Sequence, residues 1–211
     1  EKKIKVIYHG ADHIKELNKS TLIYRKNDLM KKFKIRRDFL LTVGYTQKHK
    51  NIVSVVRCFG NLIKDGYDLD LVIVGPQGND EKNIQLKIND LGLNDRVVRI
   101  PYAESRLLGH LYHFSNLFIY PSMYEGFGFP VLESMRSGGV VLGSDAGSIP
   151  EIGGNAMEYF NVNEPEELTY KAKNIISDRD KREMLKIRGY EHARNFLWEN
   201  TAKMTMQSFQ I

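Results

Sequence analysis

Short β-branched apolar runs alternate along the chain with longer segments in which apolar residues return every three to four positions. This is the pattern of repeated strand–helix units around a parallel sheet. The runs are IKVIY (4–8), FLLTV (39–43), LDLVIV (69–74), RVVRI (96–100), NLFIY (116–120), GVVLG (139–143) and AMEYF (156–160). Most are near-continuously apolar, as strands covered on both faces must be. The intervening periodicity predicts helices over about 25–34, 51–64, 79–91, 105–114 and 130–137. After residue 163 the alternation stops. PEELTYKAKNIISD, RDKREMLKIRGYEHARNF and WENTAKMTMQSF there predict three consecutive helices, the first capped by Asn163. The expected fold is one α/β domain over residues 1–211, a Rossmann-like doubly wound parallel sheet with a helical C-terminal layer from about residue 164.

Composition adds limits to this picture. The 211 residues, 42% of them hydrophobic, suffice for a packed core. No window approaches the roughly 20 consecutive apolar residues that span a bilayer, and EKKIKVIYHG lacks the apolar core of a signal peptide. The expectation is a soluble cytoplasmic chain. Cys58 is the single cysteine; it lies in an amphipathic helical pattern and is expected to pack in the core. The net charge of +5 is concentrated at the start: residues 1–38 hold 12 Lys and Arg against 5 Asp and Glu. MKKFKIRR within it is either a solvated helix face or a patch for anions, with peripheral contact to an anionic membrane as one option and nucleic acid not expected.

In open α/β sheets ligands bind beyond the carboxyl ends of the strands. The segments there are GYTQKHKN, GPQGND, PYAES, PSMYEGFGFP and SDAGSIPE, all rich in Gly, Pro and polar residues. PSMYEGFGFPVLE carries the densest chemistry. Pro130 suits the first helical position, and Gly138 suits the end of the helix. Gly126 and Gly128 then approach a helix N-terminus, where bare N–H groups can seat an anion. A dinucleotide fingerprint would continue to a third glycine with no acid beside it. Here Glu125 and Glu133 flank the glycines, and carboxylates suit the hydroxyls of a polyol better than a naked pyrophosphate. The stretch therefore reads as a cradle for a molecule with both phosphate and sugar.

Glu125 and Glu133 stand as E-x7-E within PSMYEGFGFPVLESMRSGGVVLGSDAGSIPEI, which closely resembles the signature of GT-B, family-4-type retaining glycosyltransferases. VIYHGAD, LLTVGYTQKHKN, LVIVG, LGLNDRVVRIPY and HARNFLWENTA extend the resemblance over nearly the whole chain, in the family's order. It implies a donor-binding C-terminal half that takes a UDP- or GDP-hexose, with no cofactor and no metal. Glu133 would bind the ribose and Glu125 would lie at the donor sugar. Gly126, Phe127 and Gly128 would offer N–H groups to sugar and phosphate. Lys50 would neutralise the diphosphate, making Glu125 and Lys50 the catalytic candidates. Gly44 and Gly75 would line the donor pocket, and Ile100 to Tyr102 would border the base. The family would also imply front-face attack aided by the departing phosphate, in polysaccharide biosynthesis.

Two departures from the family pattern stand out. Tyr45 replaces the arginine usual after the glycine of its loop, leaving Lys50, with Lys48 as a substitute, to meet the diphosphate. The acceptor-binding half that precedes this one in the family has no counterpart in these residues. The expected function is thus donor binding for hexosyl transfer to a glycan or lipid-linked acceptor, inactive without the acceptor domain; the alternative is a non-catalytic interaction or regulatory domain. Other signals are set aside. Asp68-Leu69-Asp70 opens a buried strand rather than a metal site, and His110 and His113 share a helix face without a third ligand. Ser148 to Glu151 reads as a capping box, and Asp145 and Gly147 are open between structural and binding roles.

Overall fold

The computed structural model describes residues 4–17 and 22–209. Six strands are found among them: β1 (Asp38–Val43), β2 (Leu69–Val74), β3 (Val97–Ile100), β4 (Leu117–Tyr120), β5 (Val141–Ser144) and β6 (Glu158–Phe160). They form one sheet in the order β3-β2-β1-β4-β5-β6, with every pair parallel. The chain runs outward from β1 to β3, crosses back to β4 on the other side of β1, and continues outward to β6. The order reverses between β1 and β4, so the loops leaving those two strands diverge and open a crevice.

Strand residues alternate between two cores. Leu40, Leu71, Ile73, Leu117, Ile119 and Leu142 face one side, where α2 (Ile52–Lys64), α3 (Glu81–Asp90) and α7 (Pro165–Ser177) pack. Phe39, Leu41, Val72, Phe118, Tyr120 and Val141 face the other. There α1 (Lys26–Phe33), α4 (Ser105–Phe114), α5 (Phe129–Arg136) and the short α6 (Ile149–Gly153) pack. Helix α2 shows why: Ile52, Val55, Val56, Phe59 and Leu62 recur at helical spacing and are all buried. Each such side chain contributes roughly 1.5–3 kcal/mol by leaving water. Cys58 is buried beside them, and its burial pushes the thiol up to about 12. Helices α8 (Arg179–Ala193) and α9 (Trp198–Ser208) complete the C-terminal layer, and α8 places Leu185 in one core and Ala193 in the other.

Several expectations change. Residues 4–8 form no strand: Ile4, Val6 and Tyr8 are exposed, and no sheet neighbour supplies a ladder. Helix α7 starts after Glu164 without a side-chain cap; Asn163 instead donates its N–H to Asn161 Oδ1 at 2.9 Å. Helix α5 begins at Phe129, so Pro130 is its second residue. Glu133 is then fifth, beyond the first turn in which an acid would offset the helix dipole. Asp70 is buried and accepts from Arg36 N, Arg37 N and Arg37 Nη1 at 2.7, 3.2 and 3.0 Å, a structural role that occupies both carboxylate oxygens. His110 is buried with Nδ1 at 2.7 Å from Arg106 O, and His113 Nδ1 lies 2.8 Å from Ser137 O. Both histidines thus serve packing.

Candidate functional site

The rim beyond the strand ends is fixed by backbone first. Gly44 N donates to Val74 O at 2.9 Å and Gly75 N to Ile100 O at 2.9 Å, which locks the exits of β1, β2 and β3 together. Gly75 has φ +135°, and a Cβ there would stand 2.2 Å from Gly44 O, so the crossing of the two loops requires glycine. After β1 a 3₁₀ turn spans Lys48–Lys50. Met123 N donates to His49 O at 2.7 Å and thereby ties this turn to the loop leaving β4, across the crevice. Ser148, at the start of α6, pins that loop from the other side: its Oγ lies 3.0 Å from Glu125 O and 2.8 Å from Phe127 O, one hydroxyl shared by two carbonyls. The hydroxyl therefore does not cap α6, and Glu151 accepts from Tyr8 OH at 2.6 Å rather than closing a capping box.

The loops bring Lys50 and Glu125 into contact. Lys50 Nζ lies 2.6 Å from Glu125 Oε1, with side chains 18% and 13% exposed. Burial pushes the Glu125 carboxyl up, but Lys50 and the neighbouring hydroxyls of Ser122 and Tyr120 together hold it below the ordinary carboxylate value. Ser122 Oγ acts there by proximity, since it is buried and makes no hydrogen bond of normal geometry. Glu133 is held separately: Tyr112 OH donates to Oε2 at 3.2 Å and His13 Nε2 lies 3.0 Å from Oε1. Tyr120, at the end of β4, links the two carboxylates. Burial, then the charge of Glu125 and more weakly that of Glu133, push its phenol far above the ordinary value. Lys50 Nζ also sits 5.7 Å from the Tyr120 ring centroid.

Gly126, Phe127 and Gly128 lead directly into α5, with Gly128 at φ +112° in the position before the first helical residue. No partner is found among the described residues for their N–H groups. With the positive end of α5 they present the kind of N–H array that can accept an anion, next to Lys50 and Glu125. The Phe127 ring turns into an aromatic cluster with His9, Phe129 and Phe196, at centroid distances of 5.0, 4.9 and 6.4 Å. Only its backbone is left to serve the rim. Gly147 abuts the same loop, since a Cβ on it would meet Glu125 N at 3.2 Å. Asp145 is exposed and donates its N–H to Phe160 O.

The structure therefore gathers Lys50, Glu125, Gly126, Phe127, Gly128 and Glu133 around the start of α5, with Gly44 beside the Lys50 stem. Ile100 is buried at the end of β3, next to Gly75, while Tyr102 is 77% exposed and no contact described joins it to the carboxylates. Tyr45 is exposed and Lys48 donates its backbone N–H to Asn79 Oδ1 at 3.1 Å. Sequence reasoning missed His13, Tyr112, Tyr120 and Ser148 as partners of the two glutamates and their loop. Of these only Tyr120 carried a signal, as the last residue of a strand on the binding rim. Among the described residues no group of three or more His, Cys, Asp or Glu is gathered as metal ligands would be.

Residues 25–192 match the family described as glycosyl transferases group 1. The chain belongs to that family. Among curated relatives of this group 1 chain, the serotype-specific mannosyltransferase WbdA of Escherichia coli is 28% identical over 209 residues, covering 97% of the chain and 24% of the relative. The O-antigen chain mannosyltransferase RfbU of Salmonella typhimurium is 31% identical over 173 residues, covering 82% and 44%. The group 1 chain thus spans less than half the length of either. Anabaena HepE, solved in complex with UDP and glucose, has the same fold with a TM-score of 0.82 at 19% identity, over 98% of this chain and 57% of that one.

Proposed function

We propose that this group 1 domain binds the nucleotide-sugar donor for a metal-independent, retaining hexosyl transfer. The reading is carried by one observation: a lysine, two carboxylates and a glycine-led helix N-terminus meet at the crevice where the strand order reverses. Glu133 takes the ribose hydroxyls and Glu125 the sugar hydroxyls, while Lys50 and the N–H groups of Gly126 to Gly128 take the diphosphate. As the glycosidic bond breaks, negative charge grows on the departing diphosphate, and Lys50 and the end of α5 are placed to stabilise it. Gly44, Gly75 and Ile100 shape the floor of the pocket, and Tyr102 stands at its outer border. The mannosyltransferase names of the relatives favour a mannosyl donor, and their greater length favours an acceptor-binding half supplied by residues outside this chain.

A peripheral contact with the inner membrane surface belongs to the same proposal. It is supported by the exposed Lys31, Lys32, Lys34 and Arg36 around the end of α1. No helix among the described residues is long and apolar enough to cross a membrane.

A thermal-shift panel of GDP-, UDP- and ADP-sugars tests the donor reading. A ligand at about 100 times its dissociation constant adds roughly 2.7 kcal/mol to stability, so a binding donor raises the melting temperature. If none of the panel shifts it, the domain does not bind donor by itself and the reading fails. Glu133→Ala is expected to weaken the nucleoside diphosphate and the intact donor alike.

A further inference from the structure

Glu133 owes its orientation to a residue 120 positions away. His13 Nε2 lies 3.0 Å from Glu133 Oε1, and because an ionised carboxylate only accepts, Nε2 carries the hydrogen of that bond. Tyr112, fully buried, donates to the other oxygen at 3.2 Å. A carboxylate offers about four lone-pair positions. Two are engaged by His13 and Tyr112, and two remain, the number a vicinal diol needs.

The segment that carries His13 is fixed on both flanks. Ala11 N donates to Phe196 O at 2.9 Å, Trp198 N donates to Asp12 Oδ1 at 2.9 Å, and Arg136 Nε donates to Ile14 O at 2.9 Å. Ala11 and Ile14 are buried. Backbone contact is so close that a Cβ on Gly10 would stand 2.1 Å from Trp198 N. The imidazole also meets the Phe129 ring edge-on at 6.1 Å, next to the start of α5. His13 is therefore delivered to Glu133 by a braced turn.

We propose that His13 is a positioning residue that, with Tyr112, locks the Glu133 carboxylate so that its two remaining lone pairs accept the ribose diol of the donor. The proposal rests on the donor reading above and adds a residue that acts only through Glu133. It follows that His13 matters for a ligand with both ribose hydroxyls and is indifferent to one without them. Glutamine at position 13 retains an N–H donor and is expected to preserve most of the effect.

The full chain and its His13→Ala, His13→Gln and Glu133→Ala variants are titrated calorimetrically with GDP, UDP and ADP and with their 2′,3′-dideoxy counterparts. For the nucleotide that binds, His13→Ala is expected to weaken the ribonucleotide about fivefold, the worth of roughly 1 kcal/mol. It should leave the dideoxy form within about twofold, and His13→Gln should recover most of the loss. In a Glu133→Ala background the His13→Ala effect on the ribonucleotide should vanish. An equal loss on both nucleotides overturns the proposal, as does no loss on either. Tighter ribonucleotide binding by His13→Ala overturns it too, since His13 would then compete with the diol. The donor reading fails separately: it falls if Glu133→Ala still discriminates ribo from dideoxy as the parent chain does, or if none of the three nucleotides binds, and the proposal then falls with it.

Discussion

Removing the ammonium of Lys50 should unbalance the rim in a way that pH reveals. Lys50→Ala leaves Glu125 largely out of water without its 2.6 Å partner. A hydrogen bond to a charged group is worth about 1.5–3 kcal/mol, and breaking a fully buried pair costs about 3–5 kcal/mol. With side chains 18% and 13% exposed the pair falls at the lower end, and we expect a loss of about 2 kcal/mol at pH 7. That corresponds to about 4–8 °C in melting temperature for a domain of this size. Lysine now holds the Glu125 carboxyl below its ordinary value, so in the parent chain its stabilisation is complete above the ordinary carboxylate pKa and fades as pH falls below it. Without lysine, only the Ser122 and Tyr120 hydroxyls offset the burial penalty, so the folded pKa rises above that of the parent chain and the variant is relieved as the carboxylate protonates. The gap between parent and variant must therefore be widest near neutrality and narrow as pH drops through the carboxylate range. Denaturant unfolding from pH 7 to pH 4 measures it, with Glu125→Gln as second background. A Lys50→Ala deficit that is independent of pH, or as large on Glu125→Gln as on the parent chain, would refute the account.

Three further outcomes follow from contacts around the rim and in the core. Gly75→Ala places a Cβ 2.2 Å from Gly44 O at a φ of +135°, and is expected to cost about 3–5 kcal/mol in thermal unfolding; Gly126→Ala meets nothing within 4 Å and should stay within about 0.5 kcal/mol while weakening the donor. Ser148→Ala removes the hydroxyl shared by the carbonyls of Glu125 and Phe127, and should cost about 1–2 kcal/mol with a matching loss of intact-donor affinity in calorimetry. Cys58, 1% exposed and with its thiol pushed up to about 12, should resist a disulfide reagent at pH 8 in the folded chain and react only as fast as the chain unfolds.

What the residue pattern could reveal follows from how local each feature is. Runs such as LDLVIV and NLFIY became strands because burial on both faces demands near-continuous apolar sequence, and that demand is written in consecutive residues. IKVIY has the same composition but remains outside the sheet: strand identity depends on a pairing neighbour, and none lies beside it. Lys50, Glu125 and Glu133 could be picked out because glycine, proline and acid at fixed spacing mark a helix entrance with hydroxyl acceptors. Most of their partners could not. His13 reaches Glu133 from the N-terminal segment and Tyr112 from helix α4, distant in sequence, and Tyr120 alone could be suspected, from its place at the end of a rim strand. Ser148 misled for a related reason: S-x-x-E is a local capping signature, and two carbonyls from the neighbouring loop claimed the hydroxyl instead.

The two glutamates are held by different chemistry, and the difference predicts a change of sign. Glu133 is oriented by neutral donors or an imidazole, whereas Glu125 is paired with a cation that the diphosphate would also seek. The ammonium has three hydrogens and can serve both, yet a phosphate brought to Lys50 then lies near the Glu125 carboxylate. Two like charges about 5 Å apart repel by about 3 kcal/mol at an effective dielectric near 20, and the shared lysine offsets only part of that. Free nucleoside diphosphate should feel the remainder of this repulsion. The intact donor brings sugar hydroxyls that donate to Glu125, at roughly 1.5–3 kcal/mol for a hydrogen bond to a charged group. Glu125→Gln removes the charge while keeping the shape, so it should tighten free diphosphate several-fold and weaken the intact donor. Glu133→Gln should weaken both, because the ribose is common to the two ligands. Calorimetric titration of each variant with both ligands decides the matter: if Glu125→Gln weakens them equally, Glu125 does not distinguish the sugar, and the division of labour between the two carboxylates is wrong.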